Sequence, residues 1–143
     1  MALPKLADRY SAQRSAADYL YSDFLVNLNA HPDSKQLITS KNEAAVTRSI
    51  RNLILTNKYE RLFQPTVGSN INNFLFEDIS SHTEASIKSQ IIETIENYEP
   101  RAKLIDVSVT GYPDQNGYVV TIIYYITTIA NPITINIPLI RVR

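Results

Sequence analysis

The 143-residue chain predicts an α+β fold on three observations. Apolar residues recur at helical spacing over two middle segments, they recur at period two over the C-terminal third, and capping or turn residues mark most changes of period. The expected order is an N-terminal arm and β-hairpin, two main α-helices with a short helix between them, and a C-terminal three-stranded antiparallel meander. Residues 1–22 form the arm and 23–143 a single domain. The arm interleaves Lys5, Arg9 and Arg14 with Tyr10, Tyr19 and Tyr21 but has too few aliphatics to bury a face of its own, so it is expected to order on a partner.

From Asp23 the pattern has period two. Phe24, Val26 and Leu28 alternate with Asp23, Asn27 and Asn29, which predicts a half-buried strand, and His31-Pro32-Asp33-Ser34 supplies a turn before a return strand at Gln36 to Thr39. Ser40 and Glu43 have capping-box spacing, and Val46, Ile50, Leu53 and Ile54 follow on one helical stripe that ends near Asn57. Tyr59 to Ser69 is irregular, with Gly68 placed to take a positive φ. Ile71, Phe74 and Leu75 give the short helix over Asn70 to Glu77. Ser81 and Glu84 repeat the capping box ahead of Ile87, Ile91, Ile95 and Tyr98, and Pro100 stops that second long helix.

Beyond Pro100 the pattern becomes that of strands. Ile105, Val107 and Val109 alternate with polar residues. A turn at Pro113 to Gly117 leads into Tyr118 to Thr128, and Ile133, Ile135, Ile137 and Leu139 make the third strand. The middle strand is apolar on both faces near Ile122 to Ile126, which puts it at the centre of the sheet with helices over one side.

Composition excludes more than it names. Lys+Arg and Asp+Glu number 14 each, so no cationic surplus is available to neutralise phosphates, and nucleic acid is not an expected partner. Zero cysteines remove thiol and cysteine-metal chemistry and fit a reducing compartment. The most apolar stretch, Tyr118 to Ala130, is shorter than the roughly 20 residues of a spanning helix, and no signal-peptide pattern opens the chain, so no membrane association is expected. His31 and His82 have no metal-ligand spacing, no nucleophile elbow or phosphate loop occurs, and no metal or cofactor is expected.

Two polar features remain. Glu60, Glu77, Asp78, Glu93, Glu96 and Glu99 could in principle supply the carboxylate pair of a glycosidase, yet no motif selects a pair and the sugar-stacking Trp is absent, so no catalytic residue is assigned. At the junction of helix and sheet stands Glu99-Pro100-Arg101. Pro100 holds the peptide extended, so Glu99 and Arg101 project to one side. They form either an internal ion pair that caps the helix or a recognition hook whose guanidinium binds a partner.

Three ordered segments carry a resemblance. They are Glu60-Arg61-Leu62-Phe63-Gln64-Pro65 with Gly68-Ser69-Asn70-Ile71, then Leu75-Phe76-Glu77, then Asn97-Tyr98-Glu99-Pro100-Arg101. This order resembles the small baseplate wedge family of contractile phage tails, whose pattern is R-x-F-x-P-x-x-G, then L-F-E, then N-Y-E-P-R. The family is related to baseplate components of type VI secretion systems. Leu62 departs from the Pro found in many members, and the arm is longer than in many relatives.

The resemblance implies a structural, non-enzymatic protein of the virion tail baseplate, assembled in the host cytoplasm and present in multiple copies. Its implied partners are other wedge and hub-proximal proteins and the first ring of sheath subunits, which would begin to polymerise on it by strand addition. It implies wedge contacts for Glu99, Pro100, Arg101, Arg61, Gln64 and Pro65, and sheath docking for the strands holding Phe24, Val26, Leu28 and Ile133, Ile135, Ile137, Leu139. A sheet left open at its edges is compatible with that role. The family has also carried the label lysozyme, so a peptidoglycan-degrading glycosidase is the alternative. A sheath or tube subunit is a third class, against which the N-Y-E-P-R junction argues.

Overall fold

The structure, a computed structural model, describes residues 20–25, 28–30, 32–33 and 35–141. Nearly all of the arm, together with Val26, lies outside the described residues. The chain divides into two compact units between Ala45 and Val46.

The first unit holds β1 (Ser22–Phe24) and β2 (Thr39–Lys41), paired antiparallel with Asp23 opposite Ser40. Both strands are shorter than the alternation predicts. After Leu25 bonds to Ile38, the Leu28 N–H turns back to the Leu25 carbonyl at 3.0 Å, and Leu28 takes a φ of 47°, which ends any extended run. Phe24 and Leu28 are exposed, so their face gains no burial that could hold a longer ladder in register. Among the described residues the pairing resumes as a single bridge, Ala30 to Leu37.

Helix α1 (Asn42–Leu55) begins one residue later than a cap at Ser40 predicts, because Ser40 and Lys41 are taken into β2. Asn42 instead marks the entry. Its φ is 46°, its side-chain Oδ1 accepts the Leu20 N–H at 2.9 Å, and its own N–H reaches the Tyr21 carbonyl.

In the second unit the α1 stripe of Val46, Ile50, Leu53 and Ile54 is buried as predicted. Helix α2 is brief (Ile71–Phe74), and α3 (Ser81–Tyr98) buries Ile87, Ile91 and Ile95. Each such isoleucine contributes about 1.5–3 kcal/mol of transfer free energy. The cap of α3 is Ser80, whose Oγ accepts the Thr83 N–H, one residue before the motif predicts. Glu84 is committed elsewhere, accepting the Gly111 N–H at 2.8 Å and tying the first turn of α3 to the sheet. Gly111 permits this approach, since a Cβ there would lie 2.5 Å from the Ile79 side chain.

The sheet is β3 (Ala102–Tyr112), β4 (Gly117–Ile126) and β5 (Ile129–Ile140), antiparallel in the order β3-β4-β5. Its middle strand is the apolar one, as expected. Val120, Ile122, Tyr124 and Ile126 of β4 are buried with Ile135, Ile137 and Leu139 of β5. The helices cover this face: α3 packs on β3, and the Thr47 hydroxyl of α1 lies 2.7 Å from that of Tyr124. One expectation on β3 fails. A bulge between Leu104 and Asp106 shifts the pairing by one residue, so Ile105 turns outward and is exposed while Val107 is buried.

Candidate functional site

Three places present the residues singled out by sequence. The first is the junction of α3 and β3. The helix ends with the Glu99 N–H on the Ile95 carbonyl, Glu99 leaves helical geometry at φ −129°, and Pro100 prevents its continuation. The Glu99 side chain is only 2% exposed. It accepts Arg101 Nε at 2.5 Å on Oε1 and Arg101 Nη2 at 2.8 Å on Oε2, the paired geometry a guanidinium makes best. The Ser49 hydroxyl of α1 donates to the same Oε2. Burial pushes the Glu99 carboxyl up, but the hydrogen bonds from Arg101 and Ser49 and the Arg101 charge outweigh it and hold its pKa below the ordinary carboxylate value.

Glu99 and Arg101 therefore act together, but across a turn and not along an extended peptide: the Ala102 N–H closes on the Glu99 carbonyl at 3.1 Å around Pro100 and Arg101, and Glu99 is turned inward. Arg101 keeps 34% of its side chain exposed, so the pair forms an internal brace with a cationic outer face. Sequence gave no sign of Ser49, which stands on another helix 50 positions away.

The second place is the loop from Thr56 to Asn70, where Arg61, Gln64 and Pro65 are all exposed. Its backbone is fastened across its neck by Lys58 N–H to Ser69 O at 3.2 Å, Ser69 N–H to Thr56 O at 2.8 Å and Tyr59 N–H to Pro65 O at 2.7 Å. From α3, the Tyr98 hydroxyl donates to Thr66 O at 2.6 Å. Gly68 takes a φ of 130°, as expected, and a Cβ there would stand 2.6 Å from Thr56 O. Gly68→Ala is accordingly expected to cost about 2 kcal/mol through backbone strain, read as a lower urea midpoint by circular dichroism. A midpoint equal to that of the wild type would show that the neck is not tightly closed.

The third place is the outer edge of β5. Ile135, Ile137 and Leu139 are buried and Ile133 half-buried, so their side chains belong to the core. What the strand offers outward is backbone. Side chains and backbone polar groups both alternate along a strand, and Pro132 and Pro138, which have no N–H, stand opposite Tyr125 and Val119 in the β4–β5 ladder. Even-numbered residues thus direct their N–H away from β4, whereas Arg141, of the other parity, donates inward to Asn116 O. Among the described residues no further strand pairs with β5.

The carboxylates raised as a glycosidase possibility are scattered in character. Glu60, Glu77, Asp78, Glu93 and Glu96 are exposed, and the buried one, Glu99, is held ionised, the reverse of what a general acid needs. Among the described residues no three His, Cys, Asp or Glu are grouped to hold a metal ion, and no helix is long and apolar enough to cross a membrane.

The chain is 28% identical over 99 residues to baseplate wedge protein gp25 of Enterobacteria phage T4, covering 69% of this chain and 74% of that protein. Its fold is similar to that of a crystal structure described as a tail lysozyme from Geobacter sulfurreducens, with a TM-score of 0.67 at 22% identity over 74% of this chain and 96% of the other. It is also similar to a chain of the anti-feeding prophage baseplate, with a TM-score of 0.60 at 22% identity over 84% and 85%. The family model described as baseplate wedge protein gp25 matches residues 40–131, a span that takes in the fastened loop, the Glu99–Arg101 junction and the whole of β4, and the chain belongs to that family.

Proposed function

We propose that this chain is a structural component of a contractile-tail baseplate, standing in the wedge beside the hub, on which the first ring of sheath subunits begins to polymerise. The observation that carries this reading is the outer edge of β5, which no strand among the described residues pairs with. A core-backed strand with free outward N–H and C=O groups is a template for an added strand. The Arg101 outer face and the Arg61–Pro65 loop supply the surface toward neighbouring wedge proteins, while Glu99, being buried, acts through its hold on Arg101. In this reading the protein is assembled in the host cytoplasm, occurs in several copies per virion baseplate and performs no catalysis.

The test is a cryo-EM reconstruction of the particle that carries the chain. Its density is expected between the hub-proximal wedge bundle and the first sheath ring, with an extended sheath segment along β5. Density at the membrane-facing tip, beside an open carboxylate-lined groove, would overturn the proposal in favour of the glycosidase.

A further inference from the structure

The fastened loop ends in two side chains that make almost no contact with the rest of the protein. Leu62 is 93% exposed and Phe63 97%, with Tyr59 beside them in sequence at 82%. An exposed leucine alone carries no information. Here the pair is adjacent at the tip of a loop closed by backbone bonds at its neck, by Gly68 and by Tyr98 on Thr66, so the backbone that presents it is already held. A loop backbone closed in advance lowers the ordering cost of docking, and large apolar side chains that fill a pocket dominate interface energies.

The charge at the tip narrows the partner. Between Tyr59 and Val67 the ionisable chains besides Tyr59 are Glu60 and Arg61. Glu60 is folded back, its Oε2 accepting the Asn57 N–H at 2.9 Å, which leaves the Arg61 cation beside Leu62 and Phe63. A second copy of this chain is a poor receptor. The groove between α3 and β3, about 270 Å³, sets Val107 and Val109 among Glu84, Lys88 and Asp106, so two apolar side chains entering it would also bury charged groups.

We propose that Leu62 and Phe63 are the anchor by which the protein plugs into an apolar pocket of a different protein of the assembly, one with a carboxylate at its rim for Arg61. The inference rests on the baseplate reading. Its test places p-benzoylphenylalanine at position 63 of the full chain, irradiates purified particles and maps the product by mass spectrometry. The expected cross-link joins position 63 to apolar residues of another baseplate protein, near an Asp or Glu. Leu62→Ser combined with Phe63→Ser, and separately Arg61→Glu, should each lower incorporation tenfold or more with unchanged melting temperatures. A cross-link to a second copy, no cross-link from chains present in the particle, normal incorporation of the double-serine variant, or a collapse of its melting temperature would each overturn the anchor. Absence of the wild-type chain from particles would instead overturn the baseplate reading beneath it.

Discussion

Replacing Arg101 with alanine is expected to lower the stability of the folded chain by about 3 kcal/mol at neutral pH, the low end of what breaking a buried ion pair costs. Glu99 is 2% exposed and would keep only the Ser49 hydroxyl as a side-chain donor. The estimate sits at the low end because Arg101 is 34% exposed and its removal lets water approach. Adding Glu99→Gln to Arg101→Ala should restore part of the loss, since a neutral amide is less costly to bury than an unpaired carboxylate. A double-mutant cycle by urea unfolding isolates the coupling.

The pH dependence has a definite sign. Because the Glu99 pKa is lowered on folding, its contribution is present above the ordinary carboxylate range and fades as pH falls through that range toward the folded-state value. Without Arg101, burial is left as the main influence and penalises the charged form, so acid should hurt the variant less than the wild type. The gap between them is expected to be widest at pH 7 and to shrink by pH 3. An unchanged midpoint at pH 7, together with failure to enter baseplates, would reassign the guanidinium from internal brace to recognition hook.

How far the sequence revealed this arrangement depended on how much burial stood behind each pattern. The stripes of α1 and α3 and the β4 run were legible because core contact enforces them, with Ile50, Ile87, Ile91, Ile95 and Ile122 all fully buried. The hairpin is shorter than its alternation predicts because Phe24 and Leu28 alternate without being buried. Capping motifs marked their helices but missed the start, since Ser40 satisfies a strand and Glu84 bonds to Gly111 across the chain. The bulge at Ile105 leaves no local trace, because alternation reads the same until the register slips. At the junction, the pairing of Glu99 with Arg101 was readable although the peptide between them is a turn and not extended, whereas Ser49 reaches Glu99 through tertiary packing alone. In the loop, motif positions drew attention to Arg61, Gln64 and Pro65. The exposure of Leu62 and Phe63 follows from a neck of backbone bonds that no side-chain pattern encodes.

Asn136→Pro is expected to abolish sheath polymerisation while leaving the domain folded and the baseplate assembled. Ile135 is the wrong position for such a test. Its side chain is buried and its parity is that of the residues that bond to β4, so a proline there would damage the sheet itself. Asn136 has the parity of Pro132 and Pro138 and an exposed side chain, so proline removes only an outward donor. β5 already accommodates two prolines at equivalent positions, and the expected cost to folding is about 1 kcal/mol or less from the shift in φ. Those same prolines leave Thr134 and Asn136 as the outward donors between them, so the loss of one halves the donors available over that stretch. An added strand must therefore find its register within that window. Asn136→Ala, which keeps the N–H, should polymerise normally, and that contrast separates backbone pairing from side-chain contact. Sheath of normal length on particles carrying Asn136→Pro, with the chain present, would remove the β5 edge as the docking site and turn attention to the exposed β1 segment around Phe24.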